Sequence, residues 1–158
     1  MNNVTIIMGS KADLEWANKI VATLKKLEVK SYCHIASAHK VPLQCYEIIK
    51  SNEKSTGVFI TIAGRSNALS GFTDAQTYRP VIACPPVGEA YGGGDIFSSL
   101  RMPSGVAPMV ILEPENAALA AAKIIALTDE IVLKKVVEYQ EIQRDKLLTD
   151  NANLQGLI

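Results

Sequence analysis

Three short polar stretches hold most of the side chains that could do chemistry. "SAHK" (37–40) offers a hydroxyl, an imidazole and an ammonium in four residues. Histidine changes charge near neutral pH and can carry a proton in either direction, so His39 is the candidate acid–base group. Lys40 is suited to a phosphate, with Ser37 and Ala38 beside it. The competing reading is a structural or solvated turn histidine. "MGSKAD" (8–13) puts Gly9 and Ser10 where a strand turns into a helix. Free backbone N–H groups and the helix dipole favour an anion there, and Asp13 could accept from sugar hydroxyls. Alternatively Ser10 is an N-cap and Asp13 a partner of the helix dipole. "AGRSNALSG" (63–71) lines up Arg65, Ser66 and Asn67 as donors after Gly64, which permits close backbone approach. Donors at a helix start suit a carboxylate or oxyanion; equally, Ser66 or Asn67 caps the helix. "GGGDIFSSLRMPSG" (92–105) joins a flexible loop to a short helix, either to close over a ligand or as a crossover with Arg101 in a salt bridge.

Other chemistries find less support. The glycines match neither GxGxxG nor the Walker pattern, so a dinucleotide or ATP is not indicated. A response regulator would need a phospho-accepting Asp after the third strand, where this chain reads "TIAGRS". Cys33, Cys45 and Cys84 lack metal-type spacing and are expected to be buried, reduced thiols; with two histidines in all, no metal is expected. Sixteen basic residues balance sixteen acidic ones, leaving no bulk attraction for nucleic acid or an anionic membrane. No apolar run reaches the length of a membrane span. The sequence opens straight into a strand pattern without the marks of a secretory signal, so a cytoplasmic location is expected.

The elements that must position these residues alternate along the 158 residues, enough for a single domain over 1–158. Apolar runs at 4–9, 29–35, 57–64, 80–86 and 107–114 read as five strands. Between and after them, helical patterns are expected from Leu14 to Leu27, at 42–52, near 67–76, briefly up to Leu100, along the Ala-rich "ENAALAAAKIIAL", and at 129–148. The Ala-rich helix implies burial or a subunit contact. The tail "TDNANLQGLI" is polar, then apolar, and the region 129–158 is expected in subunit contacts. Alternation of this kind predicts an α/β fold: a three-layer, flavodoxin-like parallel sheet of order 2-1-3-4-5 flanked by helices, with a long C-terminal helix. Ligands then bind at the carboxyl ends of strands 1 and 3, where the polar stretches fall.

The ordered set "MGSKAD", "SAHK", "AGRSNALSG", "SSLRMPSG" and "LEPENAALAA" resembles the phosphoribosylaminoimidazole (AIR) carboxylase family of purine biosynthesis, over about residues 4–128. One branch of that family is a mutase that moves a carboxyl from the exocyclic amine to ring carbon C4. The other carboxylates AIR at C4 with CO₂, without ATP, biotin or another cofactor. The mutase branch typically reads "SAHR", an "AGGAAHLPG"-like third motif and "VQMPRG". The three departures here resemble the direct carboxylase branch. The resemblance implies His39 as the catalytic histidine. It places Ser10 and Asp13, with Ser37 and Lys40, on the phosphoribosyl group, and Gly64 and Ser66 beside the imidazole and carboxyl. Gly9, Ala38, Arg65 and Asn67 complete the implied substrate-binding set. It also implies a homo-oligomer, octamer or tetramer. The alternatives are the mutase and, from another class, a non-catalytic sensor of phosphorylated ribosides.

Overall fold

The computed structural model describes residues 2–86 and 88–155, apart from three side chains. Five strands form one parallel sheet: β1 (Asn3–Met8), β2 (Lys30–Ile35), β3 (Thr56–Ile62), β4 (Val81–Ala83) and β5 (Met109–Val110). Their order is β2-β1-β3-β4-β5, as the alternation predicts. Helices α1 (Leu14–Lys26), α2 (Pro42–Asn52), α3 (Ala68–Ala75), α4 (Phe97–Leu100), α5 (Pro114–Ala126) and α6 (Glu130–Gln155) follow, with 3-10 turns at Lys11–Asp13 and at Ala90–Ile96, the Gly-rich stretch expected as a flexible loop.

The central strands are apolar on both faces because helices cover both. Val4, Ile6, Met8, Val58, Ile60 and Ile62 pack with Ala17, Ile20 and Leu24 of α1 and the alanines of α5. Ile7, Phe59 and Val81 face the other way, onto Cys45 and Ile49 of α2 and Leu69 of α3. Three layers result. Ala117, Ala118, Ala121 and Ala122 are all fully buried. Their small side chains let α5 pack close to α1 and α6, so burial within the chain accounts for the alanine pattern.

Four expectations need correction. Strand β4 is shorter than 80–86 because Pro85 and Pro86 have no N–H to continue a ladder. β5 shrinks from 107–114 to two residues: Pro108 lacks a donor, and the amide of Ala107 donates instead to Asp74 Oδ2 at 2.7 Å. Helix α6 runs to Gln155 rather than ending at 148, since no glycine or proline interrupts the chain before Gly156. Its start is capped by Asp129, whose Oδ1 accepts from Ile131 and Val132 at 2.9 and 3.1 Å. Cys33 is exposed, because β2 is an edge strand, whereas Cys45 and Cys84 are buried free thiols. The apolar end of the tail, residues 156–158, lies outside the described residues. No helix among those described is long and apolar enough to cross a membrane.

The register does the positioning. Met8 lies opposite Ile35 on one side and Ile62 on the other. The ladder runs one step further on both sides: Ala36 N–H donates to Met8 O at 2.9 Å, and Gly9 N–H to Ile62 O at 2.8 Å. The three polar stretches therefore leave the sheet side by side at its carboxyl edge.

Candidate functional site

The first turn is organised by its own side chains. Ser10 Oγ accepts from Ala12 N at 3.2 Å, and Asp13 Oδ2 accepts from Ser10 N at 2.9 Å. Ser10 Oγ also donates to Asp13 Oδ2 at 3.2 Å. This reciprocal box caps the 3-10 turn Lys11–Asp13 that leads into α1. Capping leaves both residues available to a ligand, since both also face the open cleft and Asp13 Oδ1 accepts nothing within the described residues.

The second turn is closed by backbone bonds onto Ser37 O, from Lys40 N at 3.2 Å and Val41 N at 2.9 Å. Ser37 Oγ also accepts from Lys40 N at 3.3 Å. Pro42 then starts α2 with its ring at the helix entrance, and holds Val41 out of the helical region at φ −136°. His39 and Lys40 are left exposed at the rim. No described residue hydrogen-bonds the His39 imidazole, so both ring nitrogens are open to a ligand.

The third turn is held from far along the chain. Arg65 adopts a left-handed backbone, φ 58°, which costs a residue with a Cβ roughly 1–2 kcal/mol. Ser98 Oγ receives the amide of Asn67 at 3.0 Å and shares its proton between the carbonyls of Arg65 at 3.0 Å and Asp95 at 2.8 Å. Gly64 is needed just before: a Cβ there would stand 3.2 Å from the carbonyl of Pro86.

Together these turns line a cleft of about 750 Å³. It brings together His39, Gly9, Ser10, Asp13, Ser37, Ala38, Lys40, Gly64, Arg65 and Ser66. Asn67, the remaining residue expected there, is not part of the lining. It is buried, its Oδ1 capping Ser70 N at 3.2 Å and its Nδ2 bonded to Ser99 Oγ at 2.9 Å. For Asn67 the capping alternative is the one realised.

Sequence reasoning singled out the Gly-rich segment but neither its Asp95 nor Glu89 just before it, both of which reach the cleft. Pro86 and Gly88 also line it. Their only signal was position: they follow β4, the next strand to end at the same edge. Arg101 forms no ion pair within the described residues, and no group of three or more His, Cys, Asp or Glu among them could hold a metal ion. Burial pushes the thiols of Cys45 and Cys84 up to about 11 and about 12, and neither lines the cleft.

A cleft of this kind can bind an anionic head against the first two turns and present a planar ring to an imidazole. Comparison with known proteins shows the family. The family model described as AIR carboxylase matches residues 3–146. A phosphoribosylaminoimidazole carboxylase of Archaeoglobus fulgidus is 57% identical over 150 residues, spanning 95% of this chain and 83% of that protein. An N5-carboxyaminoimidazole ribonucleotide mutase of Methanocaldococcus jannaschii is 39% identical over 156 residues, spanning 98% of each. The crystal structure of Treponema denticola PurE superimposes with a TM-score of 0.93 at 44% identity, covering 96% of this chain and 97% of that one.

Proposed function

The chain belongs to the AIR carboxylase family, and we propose that it joins CO₂ directly to C4 of 5-aminoimidazole ribonucleotide, without ATP or biotin, in purine biosynthesis. The observation that carries this reading is the convergence of His39 with the Gly9–Asp13 and Gly64–Ser66 turns on one cleft. The higher identity to a carboxylase than to a mutase, 57% against 39%, supports the direct branch.

The chemistry asks little of the protein beyond placement and one proton transfer. The aminoimidazole ring is electron-rich, and C4 acts as an enamine carbon. Its electron pair forms the new bond to the carbon of CO₂, and one C=O bond of CO₂ becomes a carboxylate. C4 then bears both hydrogen and carboxylate, and aromaticity is interrupted. Removal of the hydrogen as a proton returns its electron pair to the ring. His39 takes that proton and releases it to solvent, to which its exposed rim position gives access.

CO₂ is small and uncharged and brings little binding energy of its own. The phosphoribosyl group therefore supplies the orientation, turning a bimolecular collision into a prearranged one. Ser10, Ser37 and Lys40 hold the phosphate and Asp13 the ribose. Arg65 and Ser66 face the carboxyl end, with Gly64 letting the backbone close in. On the same reading the protein is cytoplasmic and works as a homo-oligomer, octamer or tetramer. Exposed apolar side chains on the edge strand and on α2, among them Tyr32, Ile35 and Leu43, favour such assembly.

Purified protein supplied with AIR and bicarbonate-derived CO₂, without ATP, should form the C4-carboxylated product. The mutase reading would hold instead if turnover required the N-carboxylated isomer and ignored added CO₂.

A further inference from the structure

Ser98 does not line the cleft, yet its hydroxyl serves the carbonyls of two residues that do, Arg65 and Asp95, which come from segments thirty residues apart in sequence. The same oxygen accepts the amide of Asn67 at 3.0 Å. One small side chain thus closes both ends of the Arg65–Asn67 turn and also bonds the carbonyl of Asp95, another residue of the lining. The bond is not needed for the helix that follows. Helix α3 is capped independently, by Asn67 Oδ1 on Ser70 N at 3.2 Å, and Asn67 has its own buried anchor in Ser99. Nor is Ser98 part of either hydrophobic core; it sits half-buried on the four-residue helix α4. What its loss would release is the left-handed backbone at Arg65, φ 58°, which has no glycine to make that conformation easy.

We propose that Ser98 is a positioning residue for the reaction: its hydroxyl holds the Arg65–Ser66 turn in the shape that faces the carboxyl-transfer end of the cleft. This rests on the carboxylase reading above. Without the hydroxyl, Arg65 relaxes out of the left-handed region and carries its own side chain and that of Ser66 away from the reacting carbon. The phosphate and ribose contacts, held by other turns, stay in place. The loss is therefore in the chemical step and not in binding of the ribonucleotide.

The test pairs kinetics with amide hydrogen exchange on Ser98→Ala and Ser98→Thr. In Ser98→Ala, kcat for ATP-free carboxylation should fall about tenfold, the scale of one lost orienting bond, with KM for AIR changed by less than about twofold. Exchange over residues 64–68 should quicken about tenfold while β1 and β3 keep wild-type protection. Ser98→Thr, which keeps the hydroxyl, should recover both. Unchanged kcat in Ser98→Ala, unchanged exchange at 64–68, or a Ser98→Thr protein as slow as Ser98→Ala would each overturn the proposal. So would a rise in KM that matches the fall in kcat, because that signals general damage to the cleft. A wild-type protein that turns over no AIR removes the carboxylase reading instead, and the exchange measurement still decides whether Ser98 holds the turn.

Discussion

The two walls of the cleft are built by different means. On one, Ser10 with Asp13 and Ser37 with Lys40 bond to partners three residues away. On the other, the Arg65–Asn67 turn depends on Ser98 and Ser99, 31 to 33 residues further on. A locally bonded turn forms as soon as its strand and helix do, and on the proposed function it gives the ribonucleotide a preformed seat. A turn held across the chain takes its shape only once the later segment has docked. On the proposed function the difference separates two tasks: the local wall seats the ribonucleotide and carries His39 as the base, while the long-range wall sets the geometry at the reacting carbon.

Replacing His39 with Asn should produce the largest effect. Turnover should drop at least ~100-fold, the lower end for losing an acid–base group, with affinity for the ribonucleotide and thermal stability kept. Equal losses of turnover and affinity would mean that His39 holds the ribonucleotide instead of moving the proton. Next is Asn67→Ala, which removes the α3 cap and strands Ser99 in a buried position. Stability should fall by about 2 kcal/mol in urea denaturation. A change of only a few tenths would show that the long-range wall does not depend on its buried anchor.

On the local wall, Asp13→Ala should raise KM for AIR about tenfold, with kcat within about threefold and a stability loss of no more than about 1 kcal/mol. A kcat effect exceeding the KM effect would erase the division of labour. The smallest effect belongs to the thiols. Burial raises Cys45 to about 11 and Cys84 to about 12, so near neutral pH both stay protonated and covered. Titration with a thiol reagent should modify Cys33 first, leave carboxylation unchanged, and reach the other two only on unfolding. Rapid modification of all three would mean that the sheet opens readily.

The same contrast governs what the sequence made legible. Strands β1 and β3 were plain because they are buried on both faces and read as unbroken apolar runs. The sheet order followed from alternation, and the ligand edge from the order. "GSKAD" and "SAHK" declared themselves because their bonds are local and their residue types are those of turns. Asn67 misled because an amide among donors reads the same whether it meets a ligand or caps a helix. Its Ser99 partner lies 32 residues on, beyond any spacing rule. Glu89 and Asp95 carry no local pattern at all, and reach the cleft only because β4 ends beside β3. The short β5 was hidden for a related reason: Asp74, from another layer, takes the amide that its ladder would have used.

The central claim is direct carboxylation by a cleft whose base is His39. Wild-type and His39→Asn proteins supplied with AIR and isotopically labelled bicarbonate, without ATP, test it in one experiment. The account predicts label in the C4 carboxylate at a rate that follows CO₂ concentration in the wild type and is at least ~100-fold slower in the variant. Product that stays unlabelled and forms only when the N-carboxylated isomer is supplied, or a His39→Asn protein as fast as wild type, would contradict it.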